Sequence, residues 1–322
     1  TITSTADTTA EEDDAYSYTV TTSDVDTGDT VTLAGTTVPS WLSFTAGTGV
    51  LAGTPANADV GSHAVVITAT DSSGATAVQS FTIVVANAND APAVTSTAVT
   101  SATEDAVYTY TLTASDADAG DTLTLSGTTV PSWLTFTAST GVLSGTPLNA
   151  NVGDHSVVLT VTDAAGATAT DSFTITVTNT NDAPTISSTA VVSVDEDSAY
   201  SYTTTASDVD AGDTVTLTCT TFPNWMTCTA GALSGTPTND EVGSWNVVIT
   251  ATDAAGATAT DSFTVTVANT NDAPTITSTA GTAVDEDSAY SYSITTADVD
   301  AGDTMALTFT CATCDDGTGT SF

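Results

Sequence analysis

Hydrophobic and polar positions alternate with a period of two through most of the chain. Tyr16, Tyr18 and Val20 are separated by polar residues, and so are Tyr108, Tyr110 and Leu112. Phe81, Ile83 and Val85 keep the same spacing, as do Phe173, Ile175 and Val177. Such runs, bounded by Gly, Asp, Asn and Pro clusters, predict half-buried β-strands. Six or seven of them fall within roughly 90 residues, which predicts an antiparallel sandwich with immunoglobulin-like topology. Thr dominates the outward positions, where a β-branched polar side chain suits an exposed pleat. The Thr-x-Thr spacing would also suit an ice-binding face, but a solvated strand face accounts for it fully.

The pattern repeats. Asn-Asp-Ala-Pro recurs at Asn89–Pro92, Asn181–Pro184 and Asn271–Pro274, spacings of 92 and 90 residues, and Thr1–Thr5 matches Thr275–Thr279. The reading is three full repeats, residues 1–89, 90–181 and 182–271, and a partial fourth over 272–322. Each repeat is expected to contact only its neighbours in a linear array. Thr1 is not an initiator Met and heads no signal peptide, so a mature product or an excerpt of a longer protein is expected.

Charge changes the picture most. The 322 residues include 39 Asp plus Glu and no Lys or Arg, a net charge of −39. A chain without basic side chains cannot neutralise phosphates, which excludes nucleic acid and anionic lipid as direct partners. No segment approaches the roughly 20 apolar residues needed to cross a bilayer, so no membrane insertion is expected. The carboxylates cannot be paired internally, and such a chain repels itself unless cations gather on it. A solvated acidic surface and clustered metal-binding acids both fit this composition, and position separates them.

Four acidic features recur in phase. Asp24/Asp26/Asp29 follows the second strand and returns as Asp116/Asp118/Asp121, Asp208/Asp210/Asp213 and Asp298/Asp300/Asp303. Asp71, Asp163 and Asp253 precede the last strand. Glu12-Asp13, Glu104-Asp105, Glu196-Asp197 and Glu286-Asp287 precede the Tyr-x-Tyr strand, and the linker carries Asn87-x-Asn89-Asp90 and its copies. In a sandwich the first two features share the end where a linker arrives. The Glu-Asp pair lies at the opposite end, near Asp59, Asn151 or Glu241. Stacking then gathers Glu12, Asp13 and Asp59 with Asn87, Asn89 and Asp90 and with Asp116, Asp118 and Asp163. The second junction takes Glu104, Asp105, Asn151, Asn179, Asn181, Asp182, Asp208, Asp210 and Asp253. The third takes Glu196, Asp197, Glu241, Asn269, Asn271, Asp272, Asp298 and Asp300. These donors are all oxygen, which suits a hard ion, and irregular multi-loop sites suit Ca²⁺ better than Mg²⁺. Asp and Asn also favour tight turns on their own account, but four acidic positions recurring together point to metal.

Pro131-Ser-Trp-Leu-Thr-Phe136, Gly141-Val-Leu-Ser-Gly-Thr-Pro147, Val152-Gly and Val161-Thr-Asp-Ala-Ala-Gly166 are spaced motifs that recur together. Through them the chain resembles the dystroglycan-type cadherin-like module, which overlaps the "putative immunoglobulin" (He_PIG-like) tandem repeats of large secreted bacterial surface proteins. The resemblance covers three complete repeats. It implies an all-β fold of tandem immunoglobulin/cadherin-like antiparallel β-sandwiches in a calcium-binding adhesion or scaffold protein. Cadherins proper carry Asp where this chain has Asn87, Asn179 and Asn269, which lowers the ligand charge and leaves the ion count open.

Other residues read as structural. His63 and His155 share a position that holds Trp245 in the third repeat, an exchange no catalytic or metal-bound imidazole would tolerate. Trp41, Trp133 and Trp225 read as core anchors. Cys219 and Cys228 replace Gly127 and Phe136 of the preceding repeat, which suggests a disulfide across a hairpin-like connection. Cys311 and Cys314 suggest a local or intermolecular disulfide, and this sparing use of cysteine fits an oxidising, extracellular compartment. No nucleophile sits in a recognisable motif with a base, so no enzyme is expected. The leading expectation is a calcium-stiffened extracellular stalk or spacer at the cell surface. Its partners would be flanking repeats or neighbouring copies, with a surface protein or glycan as ligand. The alternative is a self-assembling filament or surface-layer subunit, suggested by an open sheet edge in the partial repeat.

Overall fold

A computed structural model describes residues 1–310. Cys311 and Cys314, with the disulfide suggested for them, lie outside the described residues. In the first repeat β1 (Thr9–Glu11), β2 (Tyr16–Thr19), β3 (Thr32–Thr37), β4 (Leu42–Thr45), β5 (Val50–Gly53), β6 (Gly61–Thr70) and β7 (Thr76–Ala86) form two sheets. One has the order β1-β7-β6-β3 and the other β2-β5-β4. The period-two pattern places alternate side chains between them: Tyr16, Tyr18, Leu42, Leu51, Val65, Ile67 and Ile83 form the core. Gly53 pairs with both Tyr16 and Leu42 in register. A Cβ there would run into the Trp41 carbonyl, so the close approach of β4 requires glycine.

The second and third repeats copy this arrangement. Ser101–Thr103, Thr168–Thr178, Gly153–Thr162 and Thr124–Thr129 make the larger sheet of the second repeat, facing Tyr108–Thr111, Val142–Gly145 and Leu134–Thr137. Ser193–Asp195, Thr258–Ala268, Gly243–Thr252 and Thr216–Thr221 do so in the third, facing Tyr200–Thr203, Ala232–Gly235 and Met226–Thr229. After it, Thr275–Ile276 pairs with Thr296–Ala297. The contacts divide the chain into two units, Thr1–Thr180 and a second that begins at Asn181, and each is described by itself.

Two features depart from the sequence reading. First, β1 pairs with β7 in parallel, not antiparallel, with Thr9 opposite Val84 and Glu11 opposite Ala86. Ser101–Thr103 and Ser193–Asp195 do the same in their repeats. The chain therefore runs alongside the last strand towards the end from which that strand leaves. Second, the disulfide between Cys219 and Cys228 does not lie along a hairpin. It joins Thr216–Thr221 to Met226–Thr229, strands of opposite sheets, with the two Cα atoms 6.3 Å apart. The other repeats show why the sites match: a Cβ on Gly35 would lie 3.3 Å from the Phe44 Cβ, and one on Gly127 3.4 Å from that of Phe136. A glycine–phenylalanine contact between sheets has become a covalent one.

Candidate metal centre

The parallel pairing of β1 builds the site. It continues one residue past the strand, where the Glu12 amide donates to the Ala86 carbonyl (3.0 Å). Asp13 then turns the chain with φ +60°, and Asp105, Asp197 and Asp287 share this left-handed conformation, which Asp tolerates better than most residues. Glu12 is thereby fixed beside the departing linker, and its carboxylate accepts the Ala88 amide (3.4 Å). Glu104 accepts the Thr180 amide (3.1 Å) and Glu196 the Thr270 amide (2.6 Å) in the same way. These three glutamates are 3, 2 and 2 % exposed.

In the first unit the linker and the second repeat complete a junction with Glu12. Asp118 is its hub: it accepts the Asp90 amide (2.8 Å), the Asn87 side-chain amide (2.8 Å) and, more distantly, that of Asn57 (3.5 Å). Asn57 also donates to Asp90 (3.1 Å), and Asn89 donates to Asp163 (2.9 Å). Burial pushes the Glu12 carboxyl above the usual glutamate range, and the charges of Asp90, Asp13 and Asp118 push the same way. Asp163 is held below the usual range, first by the Asn89 amide and then by backbone amides of its own turn.

In the second unit Asn181 donates to Asp253 (2.9 Å), and the Asp182 amide to Asp210 (2.8 Å). Farther along, Asp300 accepts the Asp272 amide (2.6 Å), Asn269 (2.9 Å) and Asn239 (3.1 Å), and the Asp272 amide does most to lower its pKa. Carboxylate oxygens of Glu196, Asp272 and Asp300 lie within 4.8 Å of one another.

Asp59, Asn151 and Glu241 are placed differently from the sequence reading. Their side chains turn back to cap a one-turn 3-10 segment, accepting the amides of Ala56 (3.1 Å), Leu148 (2.9 Å) and Thr238 (2.8 Å). The residue two positions earlier reaches the acids instead, as Asn57 and Asn239 show. Asn suits turns as well as ligation, so the sequence offered no signal that ranked it above its acidic neighbour. The third acid of the Asp-x-Asp-x-x-Asp motif also belongs to the site: oxygens of Asp116, Asp118 and Asp121 lie within 4.8 Å of one another, as do those of Asp208, Asp213 and Asp253, and of Asp298, Asp300 and Asp303. Recurrence in every repeat was the signal that could have added Asp121, Asp213 and Asp303.

The donor set fits a hard cation. One oxygen of Asp116 accepts the Asp118 amide (3.0 Å) in a tight turn, and its other oxygen is buried without a partner. Asp208 repeats this, its amide acceptor bonded to Asp210 (2.9 Å) and its second oxygen buried and unpartnered. Glu196 leaves one buried oxygen unpartnered too. Turn chemistry thus uses one oxygen of each of these aspartates and leaves the other for a ligand. Buried carboxylate oxygens without donors are costly unless a positive charge meets them. A half-turn of the Asn87 or Asn89 amide would replace its nitrogen with an oxygen.

Fold and site together define a chain of immunoglobulin-like sandwiches with acidic, oxygen-lined junctions. Comparison with known proteins agrees: the family model described as He_PIG, "Putative Ig domain", matches residues 1–86, 91–178 and 183–268, and the chain belongs to that family. It is 33 % identical over 147 residues to the "Serine-rich adhesin for platelets" of Staphylococcus aureus, which covers 46 % of this chain and 6 % of the adhesin. The corresponding adhesin of strain MRSA252 matches at 33 % identity over 46 % of this chain and 10 % of its own length. The chain thus spans about a tenth or less of the curated relatives it matches. Among solved structures, Protocadherin Gamma B2 extracellular cadherin domains 1-5 superposes with a TM-score of 0.51 at 18 % identity, over 82 % of this chain and 59 % of that one, which shows a shared fold. An endo-fucoidan hydrolase of glycoside hydrolase family 107 superposes with a TM-score of only 0.30 at 25 % identity, over 80 % of this chain and 42 % of its own, too loosely to carry an argument.

Proposed function

We propose that this chain is a non-enzymatic stalk or spacer region of an extracellular, adhesin-like surface protein, whose inter-repeat junctions bind Ca²⁺ and are stiffened by it. The adhesin relatives and the tandem sandwiches support the surface role. One observation carries the metal: buried carboxylates from a repeat, a linker and the following repeat converge where the chain has no Lys or Arg to meet them. In the first junction Glu12, Asn87, Asn89, Asp90, Asp116, Asp118, Asp121 and Asp163 would hold the ion, with Asn57 beside them. Glu196, Asn239, Asn269, Asp272, Asp298, Asp300 and Asp303 would do so in the third. The ion would supply the missing positive charge and tie two repeats to one linker. The partners of each repeat under this reading are its flanking repeats. No helix among the described residues is long and apolar enough to cross a membrane.

Calorimetric titration tests the reading directly. Ca²⁺ should bind with measurable heat at several sites, and Mg²⁺ should compete poorly because it keeps its waters and demands octahedral geometry. Scattering curves with Ca²⁺ and with chelator should show flexibility rising when the ion is removed. Absence of heat on Ca²⁺ addition sinks the proposal.

A further inference from the structure

One hydrogen bond recurs in all three repeats although the donor residue changes type. His63 Nε2 donates to the Asp59 carbonyl (2.5 Å), His155 Nε2 to the Asn151 carbonyl (2.7 Å) and Trp245 Nε1 to the Glu241 carbonyl (2.7 Å). A carbonyl only accepts, so each imidazole carries its hydrogen on Nε2. Imidazole and indole are equivalent here in one respect: both place a ring N–H at the same point. Each accepting residue ends a 3-10 turn, Asn57–Asp59, Asn149–Asn151 or Asn239–Glu241.

None of these turns buries a residue, so core packing does not hold them. Two ties do. The side chain of the last residue caps the turn from within, and the ring N–H anchors the same residue's carbonyl to β6 or its counterpart. The turn's first residue then reaches out: Asn57 to Asp90 and Asp118, and Asn239 to Asp300. The ring itself is fixed by an edge-on contact with the repeat's tryptophan, at 5.9 Å between Trp41 and His63 and 5.7 Å between Trp133 and His155.

We infer that the ring at His63, and likewise at Trp245, is a positioning residue for its junction: its N–H locks the turn that aims the asparagine at the linker acids. It touches no acid of the site itself, and its N–H, not its charge, is what matters. This inference rests on the calcium reading of the junctions.

The test is hydrogen exchange on the full chain, resolved by peptide and titrated with Ca²⁺. The linker around residues 87–90 reports the first junction, and the linkers around 179–182 and 269–272 serve as internal controls. His63→Phe keeps the ring and removes the N–H. It should raise the Ca²⁺ midpoint for protection at 87–90 about threefold to tenfold, the size of one net hydrogen bond, and leave the other linkers unchanged. His63→Trp, the third repeat's own solution, should restore the midpoint. Asn57→Ala should reproduce the shift, and combining it with His63→Phe should add little, because both act through one turn. An unchanged midpoint in His63→Phe overturns the inference, even if exchange in β6 and β7 rises at every Ca²⁺ level, since that pattern marks simple loosening. Failure of His63→Trp to restore it, or additive shifts, overturns it as well. If no linker of the parent chain gains protection with Ca²⁺, the calcium reading fails and the inference falls with it.

Discussion

Replacing Asp121 by Asn separates a metal ligand from an acidic turn residue by the sign of its effect. Asp121 accepts the Thr122 amide (2.7 Å) and the Ala164 amide (3.4 Å) through one oxygen, Oδ1. Asn keeps that oxygen, so the change removes charge and leaves the local hydrogen bonds in place. Oxygens of Asp116 and Asp118 lie within 4.8 Å. Two unit charges at that range repel by about 3–4 kcal/mol at an effective dielectric near 20, and by about 1 kcal/mol in bulk water. Because Asp116 and Asp121 are partly exposed, solvent and salt screen these pairs, and at the lower figure relief of the two comes to about 2 kcal/mol. For a unit of this size, that corresponds to a rise of about 4–8 °C in melting temperature without metal. In saturating Ca²⁺ the variant loses a charged ligand, so its melting temperature should fall below the parent's. Calorimetric scans of both chains, with chelator and with Ca²⁺, read the two signs. A variant less stable than the parent in chelator, or equal to it in Ca²⁺, refutes the reasoning.

Two further outcomes follow from other parts of the molecule. Reducing the Cys219–Cys228 bond opens a short loop, with the cysteines 9 apart in sequence, and should cost about 2–3 kcal/mol. Exchange protection should drop in the third repeat on adding reductant and stay unchanged in the first, and an unaffected third repeat refutes this. Tyr16, Tyr108 and Tyr200 are pushed up to about 12 by burial, and their hydroxyls donate to the carbonyls of Asp7, Val99 and Val191. A raised folded-state pKa contributes stability below the unfolded value near 10, lost as pH climbs through 12. Chelated protein followed by circular dichroism should therefore lose stability between about pH 10 and 12, and a flat profile there argues against these anchors.

The period-two pattern and the recurring Asn-Asp-Ala-Pro string were enough to read the sandwiches, because strand faces are encoded by local alternation. The meeting of Glu12 with the linker and Asp118 was legible too, since strand direction alone sorts loops between two ends. The parallel strand Thr9–Glu11 was not: three residues carry no signal of which neighbour they will join. Asn57 was overlooked because capping and ligation favour the same residue types, and only the turn's geometry decides that Asp59 points inward. The bond from Cys219 to Cys228 was expected from paired replacement. Its span between sheets, the same facing that Gly35 and Phe44 show in the first repeat, was not legible: the pattern marks two neighbouring strands but not that the chain crosses from one sheet to the other between them.

The parallel pairing of Thr9–Glu11 with Thr76–Ala86 has a mechanical side. When two parallel neighbours are drawn apart by their outer ends, the bonds between them are strained together, in shear, and cannot be peeled one at a time. Tension applied across a single repeat would thus meet its stiffest response at the very strand that delivers Glu12 to the linker. Single-molecule pulling should show the unfolding force dropping when Ala10 is replaced by Pro, which interrupts that short ladder.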